Sequence, residues 1–302
     1  MKVLILGIDA LEYKLVEEWN LKNLKQLEYG KIKVPISPGF GEPVTLVVWP
    51  CFITGRKAKK MGFDKPIIYR HPLRFVLEKF YFPFVADESI SEHEDILAEK
   101  SGIKSKIVSN INYVLMKAGM GKYPERKDIK KPTFFDNPNY RSKHKNIPVY
   151  DQIFTTEERD SARNGVIRAI SDKKFRKVFE QKLKDELDEG IKNVYNELKK
   201  SDWDLFMQYF YVLDGVQHVY FKNKLKVMDY YLKFNKFVGE VKKKLPKDTM
   251  LFIVSDHGQE NGLHTHYGFY STNIKLGLDY PNIIDFKEII EERILGVKSW
   301  KI

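Results

Sequence analysis

A single cysteine, Cys51, among 302 residues excludes an internal disulfide framework and any thiolate cluster around a metal. Histidine and carboxylate are left as the metal ligands the chain can offer. Long apolar runs are also missing. Stretches such as Leu205–Leu213 and Thr249–Val254 are broken by charges within about ten residues, well short of the ~20 that a membrane span requires. No transmembrane helix is expected. The apolar stretch Lys2–Ile8 ends at Asp9 without a small-residue cleavage site, so it does not read as a signal peptide, and a cytoplasmic location is expected. Internal repeats, heptad arrays and low-complexity tails are lacking too.

What the chain does have is core material. With 43% apolar and 14% aromatic residues it can bury one large core, or one core with a modest insertion, which suits a globular enzyme and not a disordered binder. The formal charge of +11, from 52 Lys and Arg against 41 Asp and Glu, favours anionic ligands. Lysines in Lys173–Lys184 and Lys192–Lys200 alternate with Glu and Asp, as solvated helix faces do, so nucleic acid is not expected as a partner.

Lys2–Ile8 reads as a buried strand, and Leu15, Trp19, Leu24 and Leu27 give Glu12–Tyr29 a helical spacing. Lys31–Ile36 reads as a second strand. The block Ser37–Val44 is turn-forming and feeds a helix from Thr45 to Thr54, closed by Gly55. Further strands are expected at Ser105–Ile111, Asp204–Leu213 and Met250–Ser255, with a long helix around Lys226–Leu245. Strands alternating with helices predict an α/β fold, a three-layer α/β/α sandwich on a mostly parallel central sheet. Two irregular stretches, about 64–101 and 113–160, are rich in Pro, aromatic and charged residues and read as small cap insertions in one catalytic domain spanning 1–302.

Ligands of α/β sheets bind beyond the carboxyl ends of the strands, so polar residues that end apolar strands are the places to look. Asp9, Asp214, Asp256 and His257 all follow such strands, and Thr45 follows the Gly/Pro loop. A lone Asp after a strand is commonly only a helix N-cap; several together weaken that explanation. Asp214 and His218 stand at i and i+4, one face of a helix. Three of the seven histidines, His257, His264 and His266, fall within ten residues. Carboxylates with imidazoles and no thiolate suit zinc or manganese, and a pair of ions about 3.5–4 Å apart meets the usual demand of phosphoryl transfer. Thr45 is the candidate nucleophile, a hydroxyl too weak at its free pKa without metal coordination.

These residues, in this order, resemble the alkaline phosphatase superfamily, in particular its type I phosphodiesterase/nucleotide pyrophosphatase-like branch. Gly7-Ile-Asp-Ala10 is similar to the family's strand-ending Gly-x-Asp-Gly. The segment Thr45–Gly55 resembles its nucleophile segment, and Trp203–Met207 running into Asp214-Gly-Val-Gln-His218 resembles its strand and Asp-x-x-x-His. Ser255-Asp-His-Gly258 is its most recognisable signature. The resemblance implies that Asp9, Thr45, Asp256 and His257 hold one divalent ion, while Asp214, His218 and a later histidine hold the other. His264-Thr is similar to the family's His-Thr pair, so His264 is preferred, with His266 as the alternative. It further implies two ions, zinc or alternatively manganese, in-line attack by Thr45 on a small phosphate ester, a phosphothreonine and its hydrolysis.

There are departures. Where the branch has Pro and Asn after the nucleophile, this chain has Val47 and Val48, so the oxyanion contact must come from elsewhere, with Asn110 or Asn112 as candidates. Arg56–Gly62 lacks the Pro and His usual before that glycine, and Met61 stands there instead. Cys51 is followed by Phe-Ile-Thr and not by a sulfatase's x-Pro-x-Arg. The alternatives are a phosphomutase of the phosphoglycerate mutase type and a degenerate, non-catalytic metal or nucleic-acid binder. The sequence leaves the oligomeric state open.

Overall fold

A strand that is apolar on both faces is satisfied only where both faces of its sheet are covered. Lys2–Ile8 (β1) sits at the centre of such a sheet in the computed structural model, which describes residues 1–38, 40–69, 121–151 and 165–297. The strands that follow are Glu28–Lys33 (β2), Ile68–Tyr69 (β3), Gly121–Lys122 (β4), Ser142–Lys145 (β5), Leu205–Phe210 (β6), Thr249–Ser255 (β7), Gln259–Glu260 (β8), Leu263–His264 (β9) and Tyr267–Thr272 (β10). The main helices are Tyr13–Glu18 (α1), Lys22–Lys25 (α2), Thr45–Thr54 (α3), Ala58–Met61 (α4), Lys173–Lys200 (α5), Val212–Tyr220 (α6), Lys224–Lys244 (α7) and Phe286–Leu295 (α8).

Six strands form the main sheet in the order β2-β10-β7-β1-β6-β5. β7, β1, β6 and β5 run parallel to one another, and β10 runs antiparallel to both β7 and β2. The period of two along each strand divides the core. Leu4, Leu6, Ile8, Phe206, Phe210, Leu251 and Ile253 face one side, against Leu183 of α5, Val216 of α6 and Phe234 of α7. Val3, Ile5, Met207, Tyr209, Phe252 and Val254 face the other, against Trp49 and Phe52 of α3 and Phe286 of α8. Each such side chain contributes about 1.5–3 kcal/mol when fully buried, so helices on both faces are what the sheet requires. The fold is the expected mostly parallel α/β/α arrangement. Among the described residues no helix is long and apolar enough to cross a membrane.

Local departures have physical causes. The single helix expected over Glu12–Tyr29 is two short ones, because Asn20 and Gln26 take left-handed φ values of 48° and 56° and the chain is already pairing with β10 from Glu28. The second strand accordingly lies at Glu28–Lys33, three residues before the expected start. The two Lys-rich stretches join in one 28-residue helix, α5, capped by Asp172, which accepts from Lys174 N and Phe175 N. The second irregular stretch supplies β5, an edge strand whose Ser-Lys-His-Lys composition carries no apolar alternation. Lysines on an edge strand discourage pairing with another chain. The expected strand Ser105–Ile111, with Asn110 and Asn112, lies outside the described residues.

Candidate active site

Asp9 follows β1, Asp214 lies in the first turn of α6 after β6, and Asp256 and His257 follow β7. Three adjacent parallel strands therefore deliver their polar ends to one place. Thr45 reaches it from the other direction as the first residue of α3. That helix can lie against β1 because Gly7 has no side chain; a Cβ there would come within 2.8 Å of Trp49 Cη2 and 3.1 Å of Met207 Cε. Val47 and Val48, one turn into α3, are fully buried in the core and offer nothing to the site, and Met61 is buried likewise.

The remaining histidine arrives on a hairpin. β8 and β9 pair with Gln259 opposite His264, around Asn261 and Gly262 with φ of 51° and 82°. An Asn-Gly pair with both φ positive is the favoured two-residue hairpin turn. The hairpin brings His264 to the site and leaves His266 exposed.

The residues fall into two groups, Asp9, Asp256 and His257 in one and Asp214, His218 and His264 in the other. Within each, one ligand atom per residue lies within 4.8 Å of the others. In the first, His257 Nε2 is 3.3 Å from Asp9 Oδ1 and 3.5 Å from Asp256 Oδ2. Thr45 Oγ1 donates to Asp9 Oδ2 at 3.3 Å and lies 3.5 Å from His257 Nε2. In the second, His218 Nε2 is 3.1 Å from Asp214 Oδ1 and 3.3 Å from His264 Nε2. The groups adjoin through the stacked rings of His257 and His264, whose centroids are 3.9 Å apart.

Electrostatics mark the place as costly. Asp9 Oδ1 and both carboxylate oxygens of Asp256 are buried and accept no hydrogen bond among the described residues. A buried carboxylate without donors costs several kcal/mol unless a cation offsets it. Burial, then the charges of Asp256 and Asp214, push Asp9 well above the usual carboxylate range, and burial pushes Asp256 up to about 7. For Asp214 the effect of burial is outweighed by His218 and His264, which hold its carboxyl well below that range. Burial would lower His218, yet Asp214 raises it to about 9, whereas burial and the neighbouring His257 lower His264 to about 3. Hard oxygens without donors, interleaved with imidazoles in two sets of three, are a donor set that fits two divalent ions.

Four residues join the site without having stood out in the sequence. Tyr209, buried beside Trp49, donates to Asp9 Oδ2. Gln259 Nε2 lies 2.9 Å from His218 Nδ1. Glu42 Oε2 lies 3.6 Å from His264 Nδ1, which also faces Pro43 O at 3.2 Å. Glu12, fully buried, sits under the hairpin. Tyr209 is one of a run of core aromatics, and nothing in its spacing separates it from them. Metal-bound histidines usually give their second ring N–H to an acceptor, and Pro43 O stands in that position for His264 Nδ1.

The family model for type I phosphodiesterase / nucleotide pyrophosphatase matches residues 3–274. The chain belongs to that family. No protein of curated function matches it by sequence. Similar solved structures include murine ectonucleotide pyrophosphatase / phosphodiesterase 5, with 12% identity and a TM-score of 0.43 over 85% of this chain and 57% of that one. The PH0037 protein from Pyrococcus horikoshii is 12% identical, with a TM-score of 0.45 over 100% and 99% of the two chains. Phosphonoacetate hydrolase from Sinorhizobium meliloti 1021 is 13% identical, with a TM-score of 0.44 over 85% and 56%. This chain thus spans little more than half the length of the first and third of these.

Proposed function

We propose that the protein hydrolyses small phosphate esters, with Thr45 as nucleophile and two divalent ions, zinc or alternatively manganese, held by Asp9, Asp256 and His257 and by Asp214, His218 and His264. The observation that carries this is the pair of three-residue ligand groups that adjoin through the stacked His257 and His264, with the aliphatic hydroxyl Thr45 Oγ1 beside one of them. When bound, the ions would supply the positive charge that lowers the pKa of a hydroxyl or water and neutralises charge on the phosphoryl oxygens.

The chain's own part is positioning. Thr45 stands at the N-terminus of a ten-residue helix, where unpaired backbone N–H groups and the helix dipole favour a phosphoryl group. Its hydroxyl proton points to Asp9 Oδ2, which leaves the oxygen lone pairs for phosphorus. Attack would form the Thr45 Oγ1–P bond and break the bond to the leaving alcohol on the opposite side; water then cleaves the phosphothreonine. Tyr209 fixes Asp9 from below, so the carboxylate cannot swing away from Thr45. Asn110 and Asn112 remain candidates for contact with the phosphoryl oxygens.

The test is turnover of p-nitrophenyl phosphate and bis-(p-nitrophenyl) phosphate with added Zn²⁺ or Mn²⁺, followed by EDTA. Metal-dependent release of p-nitrophenol is expected, lost in Thr45→Ala while bound metal is largely retained. Absence of turnover with either ester under both metals would count against a hydrolase, and full activity in Thr45→Ala would reject the nucleophile.

A further inference from the structure

Glu12 is fully buried, and none of the chemistry above uses it. It caps α1, where Oε1 accepts from Lys14 N at 2.8 Å. A cap needs one oxygen and no burial. The same Oε1 also accepts from Tyr267 OH at 2.8 Å, and Oε2 lies 3.3 Å from Thr265 Oγ1. Its backbone N–H donates to the buried Tyr231 hydroxyl at 2.8 Å, so the residue is pinned from below as well.

The partners of this carboxylate bracket the metal-ligating segment. Thr265 adjoins His264, and its Oγ1 accepts from Gly258 N at 2.9 Å, next to His257. Thr265 N donates to Gly258 O at 3.0 Å and Gly258 N to Tyr267 O at 3.2 Å, closing the base of the hairpin. Gly258 is required here: a Cβ would overlap the Glu12 carboxylate and come within 2.8 Å of Thr265 Oγ1. At the other end Glu12 is three residues from Asp9. One side chain therefore ties the end of β1 to the start and the finish of the segment that carries both His257 and His264.

We propose that Glu12 is a positioning residue for both ligand groups, holding the His257–His264 segment against the end of β1 so that the two imidazoles meet their carboxylates. It rests on the two-metal reading above. Outer partners that orient ligands are worth on the order of tenfold to a hundredfold in metal affinity. Removing the Glu12 carboxylate should loosen both groups, whereas an amide keeps an oxygen for Lys14 N and Tyr267 OH and can donate to Thr265 Oγ1.

The experiment titrates Co²⁺ into the metal-free full chain, wild type against Glu12→Ala, Glu12→Gln and Tyr267→Phe, following the cobalt d–d absorption, with circular dichroism to show that each is folded. In Glu12→Ala and Tyr267→Phe, cobalt affinity should fall about tenfold or more with a changed band, while Glu12→Gln stays within about threefold of wild type. A folded Glu12→Ala with wild-type affinity and band would overturn the proposal. Should Glu12→Ala fail to fold, Tyr267→Phe decides, since it deletes one donor and leaves the helix cap intact; unchanged cobalt binding there would overturn it. A wild-type chain that takes up no cobalt would instead reject the metal reading itself.

Discussion

His264 lies flat on His257, ring planes 19° apart, although the two histidines belong to different ligand groups. The stack presents His264 Nε2 to Asp214 Oδ1 at 3.8 Å and to His218 Nε2 at 3.3 Å, while Nδ1 is turned to the backbone oxygen of Pro43. His266, two residues on, is exposed and in neither group. His264→Ala is therefore expected to lose about one of two metal equivalents and most of the turnover. His266→Ala should keep both, as judged by metal analysis of the dialysed proteins. Metal loss confined to His266→Ala would reverse the choice.

Much of this centre was legible in the sequence because strand ends are legible. Asp9, Asp214, Asp256 and His257 each follow an unmistakable apolar run, and parallel strands bring their carboxyl ends to one side of a sheet. The neighbours that orient them were not. Tyr209 sits in a strand where every position is buried, so its hydroxyl's partner depends on the register of β6 with β1, which pairs Tyr209 with Gly7. Glu12 looks like any acidic residue opening a helix. The Asn261-Gly262 turn was readable in principle, but its two-residue arms are too short to show alternation. β5 was missed because an edge strand rich in charge carries no apolar pattern.

Gly7→Ala tests the close approach of α3 to β1. The added methyl would meet Trp49 at 2.8 and 3.0 Å and Met207 at 3.1 Å. The indole is locked edge-on against Tyr209 and Phe52, so it has little room to yield. Overpacking of this kind costs about 1–3 kcal/mol. Urea denaturation should show a lower midpoint with an unchanged slope, and Thr45, carried on α3, should lose turnover beyond what the stability change explains. A midpoint equal to wild type would mean that the helix shifts freely.

Tyr209→Phe removes the hydroxyl that donates to Asp9 and keeps the ring against Trp49. Asp9 Oδ1 already lacks a hydrogen-bond donor, so the variant leaves Asp9 Oδ2 with Thr45 alone. Metal affinity is expected to fall about tenfold, read by competition with a chromogenic chelator. Thermal stability of the metal-free protein should change far less, because a protonated Asp9 needs no donor at that oxygen. Unaltered affinity would place Tyr209 in the core and not in the site.

Metal binding must displace protons, and the direction of the effect can be worked out group by group. Asp256 rises from 3.8 to about 7 on folding, chiefly through burial. Its contribution to the metal-free fold is complete below 3.8 and is lost as pH climbs through about 7. His218 rises from 6.5 to about 9, Asp214 outweighing burial, so its contribution is complete below 6.5 and lost through about 9. Asp9, also raised, acts in the same sense. Asp214 is lowered, so its contribution is present above 3.8 and is lost only in strong acid. His264, lowered to about 3, is already neutral and free of protons to shed. Between about pH 6 and 8.5 the metal-free protein therefore weakens while its ligands become available, and the gap in melting temperature between protein with Zn²⁺ and protein with EDTA should widen with pH. Proton release on zinc binding, measured by calorimetry in buffers of different ionisation enthalpy, should shrink over the same interval. A gap that narrows as pH rises would show that Asp256 and His218 do not take the metal.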